Sequence, residues 1–108
     1  MAFTTEFVMG AGGAEVEEIP VSMSGSGNGT VYPLATVDAG GGAWVMLDGP
    51  KTGSTPVSVN IGSMTVRMDA ASTRLCGVAY ASGTVPISVT THGFSTVNFT
   101  GTVYVTRM

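Results

Sequence analysis

Pro56-Val57-Ser58-Val59-Asn60-Ile61-Gly62-Ser63-Met64-Thr65-Val66-Arg67-Met68-Asp69 decides the fold. Val57, Val59 and Ile61 alternate with polar residues, as one face of a strand does. Met64, Val66 and Met68 repeat the alternation after a slip of one residue at Gly62-Ser63. A two-residue hairpin loop accounts for the slip. It pairs Ile61 with Met64, Val59 with Val66 and Val57 with Met68, which puts all six on one face. Glycine at the first loop position suits a type II′ turn. The alternative is a single long bulged strand.

The same arithmetic extends downstream. Ser82-Gly83, read as a second two-residue loop, pairs Tyr80 with Val85, Val78 with Ile87 and Cys76 with Val89. The chain is then expected to turn at His92-Gly93 through a three-residue loop. Beyond it, Val97, Phe99, Val103 and Val105 keep one parity. Upstream, strands are expected over residues 3–9, 19–23, 31–37 and 43–47, separated by glycine-rich connectors. Pro20 and Pro33 place two of these at sheet edges or at bulges, because proline donates nothing to a ladder. No segment shows sustained helical spacing, and β-branched residues abound (15 Val, 15 Thr, 3 Ile). The expectation is an all-β fold, a single small sandwich or barrel of about eight short, mostly antiparallel strands.

Charge is scarce. Four Lys and Arg and seven Asp and Glu make up 10% of 108 residues, against about 25% in ordinary soluble domains. Glycine, serine and threonine stand in their place. A mean hydropathy of +0.37 with 44% apolar residues argues against wholesale disorder. A formal charge of −3, with no cation before Lys51, argues against a nucleic-acid-binding face, which needs clustered Lys and Arg. The first ten residues lack the basic and apolar regions of a signal peptide. The longest strictly apolar run, residues 43–47, is far short of the ~20 needed to span a bilayer. The expectation is a product without membrane insertion, not secreted by a signal peptide.

Chemistry-bearing residues are few. His92 is the single histidine and Cys76 the single cysteine, so no His-rich metal site can form. Cys76 cannot close an internal disulfide and is expected to be a buried small hydrophobe. His92 with Asp38, Asp48 or Asp69 could formally build a triad, but no serine stands in a G-x-S-x-G elbow. A structural role at the expected turn is the preferred reading. Glu15, Glu17 and Glu18 read as an acidic solvated loop rather than a calcium or carboxylate-pair site. Gly25-Ser26-Gly27-Asn28-Gly29 lacks the Lys-Ser/Thr of a phosphate loop and leads into a strand, so it reads as a connector. Asn28-Gly29-Thr30 and Asn98-Phe99-Thr100 match the glycosylation sequon by chance in a Thr-rich chain. No cofactor, metal or catalytic residue is expected. Trp44, with Tyr32, Tyr80 or Tyr104 nearby, could stack on a sugar. It sits in Ala43-Trp44-Val45-Met46-Leu47, apolar on both faces, so core or subunit interface is preferred.

Two features ask for a partner. Residues 1–50 hold six acids and no base, whereas residues 51–108 hold four bases and one acid, a segregation through which neighbouring copies could align. At the start, Phe3, Thr5, Phe7 and Met9 alternate with Thr4, Glu6 and Val8 before Gly10, Gly12 and Gly13. Residues 1–13 therefore read as an N-terminal arm with a glycine hinge, and residues 14–108 as a single β domain. Phe3, Thr5, Phe7 and Met9, with Trp44, are the candidate partner-binding residues. The arm could pair with another chain's sheet edge, or it could be an internal edge strand.

Leu75-Cys76-Gly77-Val78-Ala79, Ser82-Gly83, Val85-Pro86-Ile87-Ser88-Val89-Thr90-Thr91 and Gly93-Phe94-Ser95-Thr96-Val97 together resemble a segment of the capsid decoration (cement) proteins of tailed bacteriophages. There a "GVA" strand, a small-residue turn, a Val/Thr strand and a "G-aromatic or aliphatic-x-x-V" strand follow one another. The resemblance implies a non-enzymatic virion protein that binds the assembled shell, often as a trimer, with the major capsid protein as partner. The glycine-interrupted N-terminal half equally suits a minor tail or tail-tip protein, with tail proteins as partners. A homo-oligomer is expected in either case. A glycan-binding β-sandwich module is the contrasting reading.

Overall fold

In the computed structural model, which describes residues 15–108, the hairpin at the centre of the sequence forms in the expected register. Strand β3 (Val57–Ile61) pairs antiparallel with β4 (Met64–Met68), joining Val57 to Met68, Val59 to Val66 and Ile61 to Met64. Gly62 has φ 60° and Ser63 does not have positive φ, which is the type II′ signature. Val57, Val59 and Ile61 are fully buried. Met64, Val66 and Met68 on the outer strand are half-buried.

Around this hairpin the described residues form six strands rather than eight, because two of them are long. Strand β1 (Glu15–Asp38) and strand β6 (Thr84–Arg107) each run 24 residues and pair along their whole length. Between them come β2 (Ala43–Thr52) and β5 (Arg74–Ala81). A straight strand of 24 residues would be ~79 Å long, but the molecule's longest extent is 46 Å. Both strands must therefore bend. In β1 the bend falls at Gly25-Ser26-Gly27-Asn28-Gly29, where Gly27 (φ 131°) and Gly29 (φ 86°) adopt backbone that other residues resist. The Tyr32 hydroxyl donates to the Ser26 carbonyl oxygen at 2.6 Å and lies where a Gly25 side chain would be, which ties the corner shut.

Opposite this corner, β6 carries extra residues at positions 94–96: the pairing passes from Gly25 with Val97 to Gly27 with Gly93. The turn expected at His92-Gly93 is thus a bulge inside a continuous strand. Thr91 Oγ1 donates to Gly27 O at 2.7 Å, and Thr55 Oγ1 to Ser95 O at 2.7 Å, fastening the bulge to its neighbours. Bending divides the sheet into two facing halves. Residues 98–107 of β6 pair with β2, and β2 with β5. Residues 87–91 pair with β3, and β3 with β4. β1 flanks β6 in both halves, and the result is a nearly closed, barrel-like antiparallel sheet. Pro20 and Pro33 lie in β1, which among the described residues is ladder-paired on its β6 side only and has a register shift at Pro33/Ala35.

The second hairpin does not form. β5 pairs with β2, joining Tyr80 to Trp44 and Val78 to Met46, and β6 starts beside β1. The physical reason lies at the crossover. Gly83 N–H donates to Gly40 O and Gly83 O accepts from Ala39 N–H, so the 82–83 link is bound to the β1–β2 turn and carries the chain from one half of the sheet to the other. The inward parity of β6 is as expected, with Val85, Ile87, Val89, Val97, Phe99, Val103 and Val105 all buried. For β5 the parity is the opposite one. Leu75 and Gly77 face the core, whereas Cys76, Val78 and Tyr80 face out. Cys76 is an exposed free thiol rather than a buried hydrophobe.

Lys51 is on the inward parity and is 2% exposed. Its Nζ donates to the carbonyl oxygens of Ala70 at 3.1 Å and Ser72 at 3.2 Å, across the Asp69–Ser72 turn. Burial holds its pKa below the usual lysine value.

A candidate interaction surface on the outer face of the β2–β5 half

Alternation turns the even-numbered residues of β2, β5 and β6 outward in this half of the sheet. The register arranges them in rows. Tyr80, Trp44 and Thr106 form one; Val78, Met46 and Tyr104 form the next; Cys76, Asp48 and Thr102 form the third. Trp44 is 48% exposed, Tyr80 54% and Val78 53%. The Trp44 and Tyr80 rings meet edge to face, with centroids 5.2 Å apart and planes at 67°, a preferred geometry for aromatic pairs. A side chain at Gly42 would collide with the Tyr80 hydroxyl, so glycine there lets the ring lie flat over the turn. Beyond the third row, Arg74 Nε and Nη2 grip Asp48 Oδ1 and Oδ2 at 2.8 and 3.0 Å. The surface is thus an apolar patch bounded at one end by a bidentate ion pair.

Trp44 therefore lies outside the core, on an open face with Tyr80 beside it and Tyr104 in the next row. The sequence left core and subunit interface both open for Trp44, because residues 43–47 are apolar at every position; its exposure removes the core alternative. The available signal was the parity Trp44 shares with Asp48 and Pro50. The other candidate partner-binding residues, Phe3, Thr5, Phe7 and Met9, lie outside the described residues, as does the proposed hinge.

The outer face of the β3–β4 half is polar. Asn60 Nδ2 donates to Ser88 Oγ and Thr90 Oγ1, both at 3.0 Å, and Asn60 Oδ1 accepts from Thr65 Oγ1 at 3.0 Å. His92 Nε2 meets Ser58 Oγ at 2.8 Å, a contact the sequence analysis did not foresee. Ser58 is 6% exposed. The charged neighbour that acts on His92 is the cation Arg67, and Asp48 and Asp38 are engaged by Arg74 and by the Gly40 N–H. The Ser58 hydroxyl is shielded, and among the described residues no carboxylate is hydrogen-bonded to the imidazole.

Burial, then Arg67, push the His92 pKa below 6.5. The unfolded chain then binds this proton more readily than the native one. Stability is expected to be insensitive to this group above about pH 6.5 and to fall as the pH drops below it. His92→Gln should flatten that segment of a melting-temperature profile between pH 7.5 and 5. An unchanged slope in the variant would assign the pH dependence to other groups.

The segregated charges meet within the chain, because the acidic strands β1 and β2 pair with β5 and β6. Glu17 Oε1 lies 2.9 Å from Arg107 Nη2, and Asp48 pairs with Arg74. Arg107 Nε also donates to Asp38 O at 3.0 Å. These pairs use charge that the sequence offered for aligning copies. Among the described residues no group of three or more His, Cys, Asp or Glu is placed to hold a metal ion, and no helix is long and apolar enough to cross a membrane.

No protein-family model matches the chain, and no curated protein does. Among solved structures, the chain is similar to a subunit of the disulfide-linked pili that form Bacillus endospore appendages. The TM-score is 0.52 and the identity 13%, over 90% of this chain and 93% of that one. At that identity the likeness is one of fold, and it spans nearly the whole of both chains.

Proposed function

We propose that this chain is a non-enzymatic structural subunit of a phage particle, most specifically a capsid decoration protein that binds the assembled shell through many weak, repeated contacts. The observation that carries the reading is the apolar patch on the outer sheet face, in which Trp44, Val78 and Tyr80 are exposed beside the half-buried Met46 and Tyr104. Exposed apolar patches of this kind mark association surfaces. On a symmetric lattice, each weak contact is multiplied by the effective concentration of the next. The sequence resemblance to decoration proteins supplies the particle, and the fold shared with a pilus subunit supports a role in assembly. That neighbour belongs to disulfide-linked pili. With one cysteine, this chain can join two copies covalently and no more, so extended assembly of this chain rests on non-covalent contacts.

The test is to split purified virions into heads and tails and probe each for this protein. Its presence on heads is the expected result. Presence on tails moves it to the tail or tail-tip class, and absence from both overturns the reading. A glycan-binding module is the second reading, favoured by the half-exposed Trp44–Tyr80 pair. A glycan-array signal lost in folded Trp44→Ala would support it over the structural one.

A further inference from the structure

We infer that the outer face of the β3–β4 half carries a site for a tetrahedral oxyanion, a phosphate or sulfate group, held by Arg67 together with the hydroxyls of Ser88 and Thr90. This is independent of the assembly role proposed above, which rests on the other half of the sheet. The chain has four Lys and Arg. Three are engaged by the chain itself: Lys51 by the carbonyl oxygens of Ala70 and Ser72, Arg74 by the Asp48 carboxylate, and Arg107 by Glu17 and the Asp38 carbonyl oxygen. Arg67 is exposed, and its side chain has no ion pair and no hydrogen bond among the described residues. Asp69, two residues further on, is exposed too and forms no ion pair with it. The guanidinium thus presents its N–H donors to solvent.

The register sets hydroxyl groups beside this cation. Arg67 on β4 stands opposite Ser58 on β3, and Ser58 opposite Thr90 on β6; Thr65, Asn60 and Ser88 make the next row. Two strand spacings, about 10 Å, separate the main chains of Arg67 and Thr90. Ser58 lies between them on the outward parity, yet is only 6% exposed, so side chains of its neighbours stand over it. Asn60 sets the direction of the hydroxyls. Its Nδ2 uses both hydrogens on Ser88 Oγ and Thr90 Oγ1, and its Oδ1 accepts from Thr65 Oγ1. Ser88 and Thr90 accept these bonds, which leaves their own O–H hydrogens to give. No described residue takes them. The face therefore offers a guanidinium on one side and two hydroxyl donors on the other, with no ionised acceptor in the two rows.

Donors on two sides of the rows suit an anion with oxygens in several directions better than a carboxylate, whose two oxygens match the planar fork of one arginine. His92 supplies a reporter of occupancy. Its Nε2 meets Ser58 Oγ at 2.8 Å, its main-chain N–H donates to Pro56 O, and its partner across the ladder on β1 is the uncharged Asn28. Among the described residues Arg67 is the charged group that acts on it. An anion on Arg67 cancels the field that opposes a proton on the imidazole. Binding should therefore raise the pH at which His92 titrates, and by reciprocity the protonated imidazole should tighten binding.

Because His92 is the single histidine, its imidazole C2–H resonance reports on the site without further assignment. Sodium sulfate titrated into the full chain at constant ionic strength and about pH 6.5 should move that resonance along a saturating curve. Inorganic phosphate should do the same, and acetate should bind more weakly. With sulfate at saturation, the His92 titration midpoint should lie higher than in chloride. Arg67→Gln, an exposed position that should keep the wild-type melting temperature, is expected to weaken sulfate at least about tenfold, as the loss of hydrogen bonds to a charged group does. Ser88→Ala with Thr90→Val should weaken it about fivefold. Arg74→Gln, in the other half of the sheet, should leave the curve unchanged. A wild-type response that stays linear in sulfate, acetate binding as tightly as sulfate, or an unaltered curve in Arg67→Gln or in the double hydroxyl variant would overturn the inference.

Discussion

Phe99→Ala is expected to lower the free energy of unfolding by about 3–5 kcal/mol. Phe99 is 1% exposed and is the largest of the fully buried side chains. Its ring reaches across to β2, where it lies 3.0 Å from the position a Gly49 Cβ would take, and 2.5 Å from that of Gly101. On this side the ring meets the backbone of Gly49 and Gly101, which have no side chain to fill the hole and lie in the β2–β6 ladder between Asp48–Thr102 and Lys51–Phe99. Backbone paired in a ladder closes over a cavity less readily than side chains do, so much of the cavity term should be kept. With total stabilities of about 5–15 kcal/mol for domains, the variant stands near its folding threshold. Urea denaturation at constant m measures the loss from the midpoint. A loss below ~1 kcal/mol would mean that the ring does not organise this crossing.

Gly101→Ala should cost about 2–4 kcal/mol, for the opposite reason. A Cβ at Gly101 would stand 2.5 Å from Asp48 O, 2.5 Å from Phe99 Cζ and 3.0 Å from Gly49 Cα. The φ of Gly101 is not in the left-handed region, so the cost is one of space and not of backbone conformation. Two of the three obstacles are main chain. Gly101→Ala combined with Phe99→Leu should therefore recover only part of the loss, and a double-mutant cycle should report non-additive coupling. Full recovery would place the obstruction in the ring alone. In contrast, a Cβ at Gly83 meets nothing within 4 Å, although its φ of 70° still disfavours a side chain there.

Which parts of the fold were legible follows from how local the signal was. The β3–β4 hairpin was legible to the residue, because Gly62-Ser63 sets both turn and register within fourteen residues. The inward set of β6 was legible because alternation survives Gly101. The partner of β5 was not. Ser82-Gly83 has the composition of a hairpin loop, but it is held by Gly40 and Ala39 of another turn, about forty residues earlier in the chain. No property of residues 74–89 alone records that competitor.

The candidate surface shows the same division. The shared face of Trp44 and Met46, and of Val78 and Tyr80, is a period-two fact readable from spacing. That those two faces are one face, and that it meets water, required the β2–β5 register and the side on which the core closed. The two 24-residue strands were read as four or more because glycine usually interrupts strands. Here Gly25, Gly27 and Gly29 bend β1 without ending it, because β6 supplies a matching bulge at residues 94–96.

By itself, then, the sequence determined the class of the fold, the central hairpin, the alternating residues of β6 and the shortage of titratable chemistry, since each of these depends on residue type and near neighbours. Tertiary structure alone decided the partner of β5, the exposure of Trp44, Tyr80 and Cys76, and the meeting of acidic and basic halves in the Glu17–Arg107 and Asp48–Arg74 pairs. Alternation says which side chains travel together. Only the closing of the sheet on its core says which of them are left facing water.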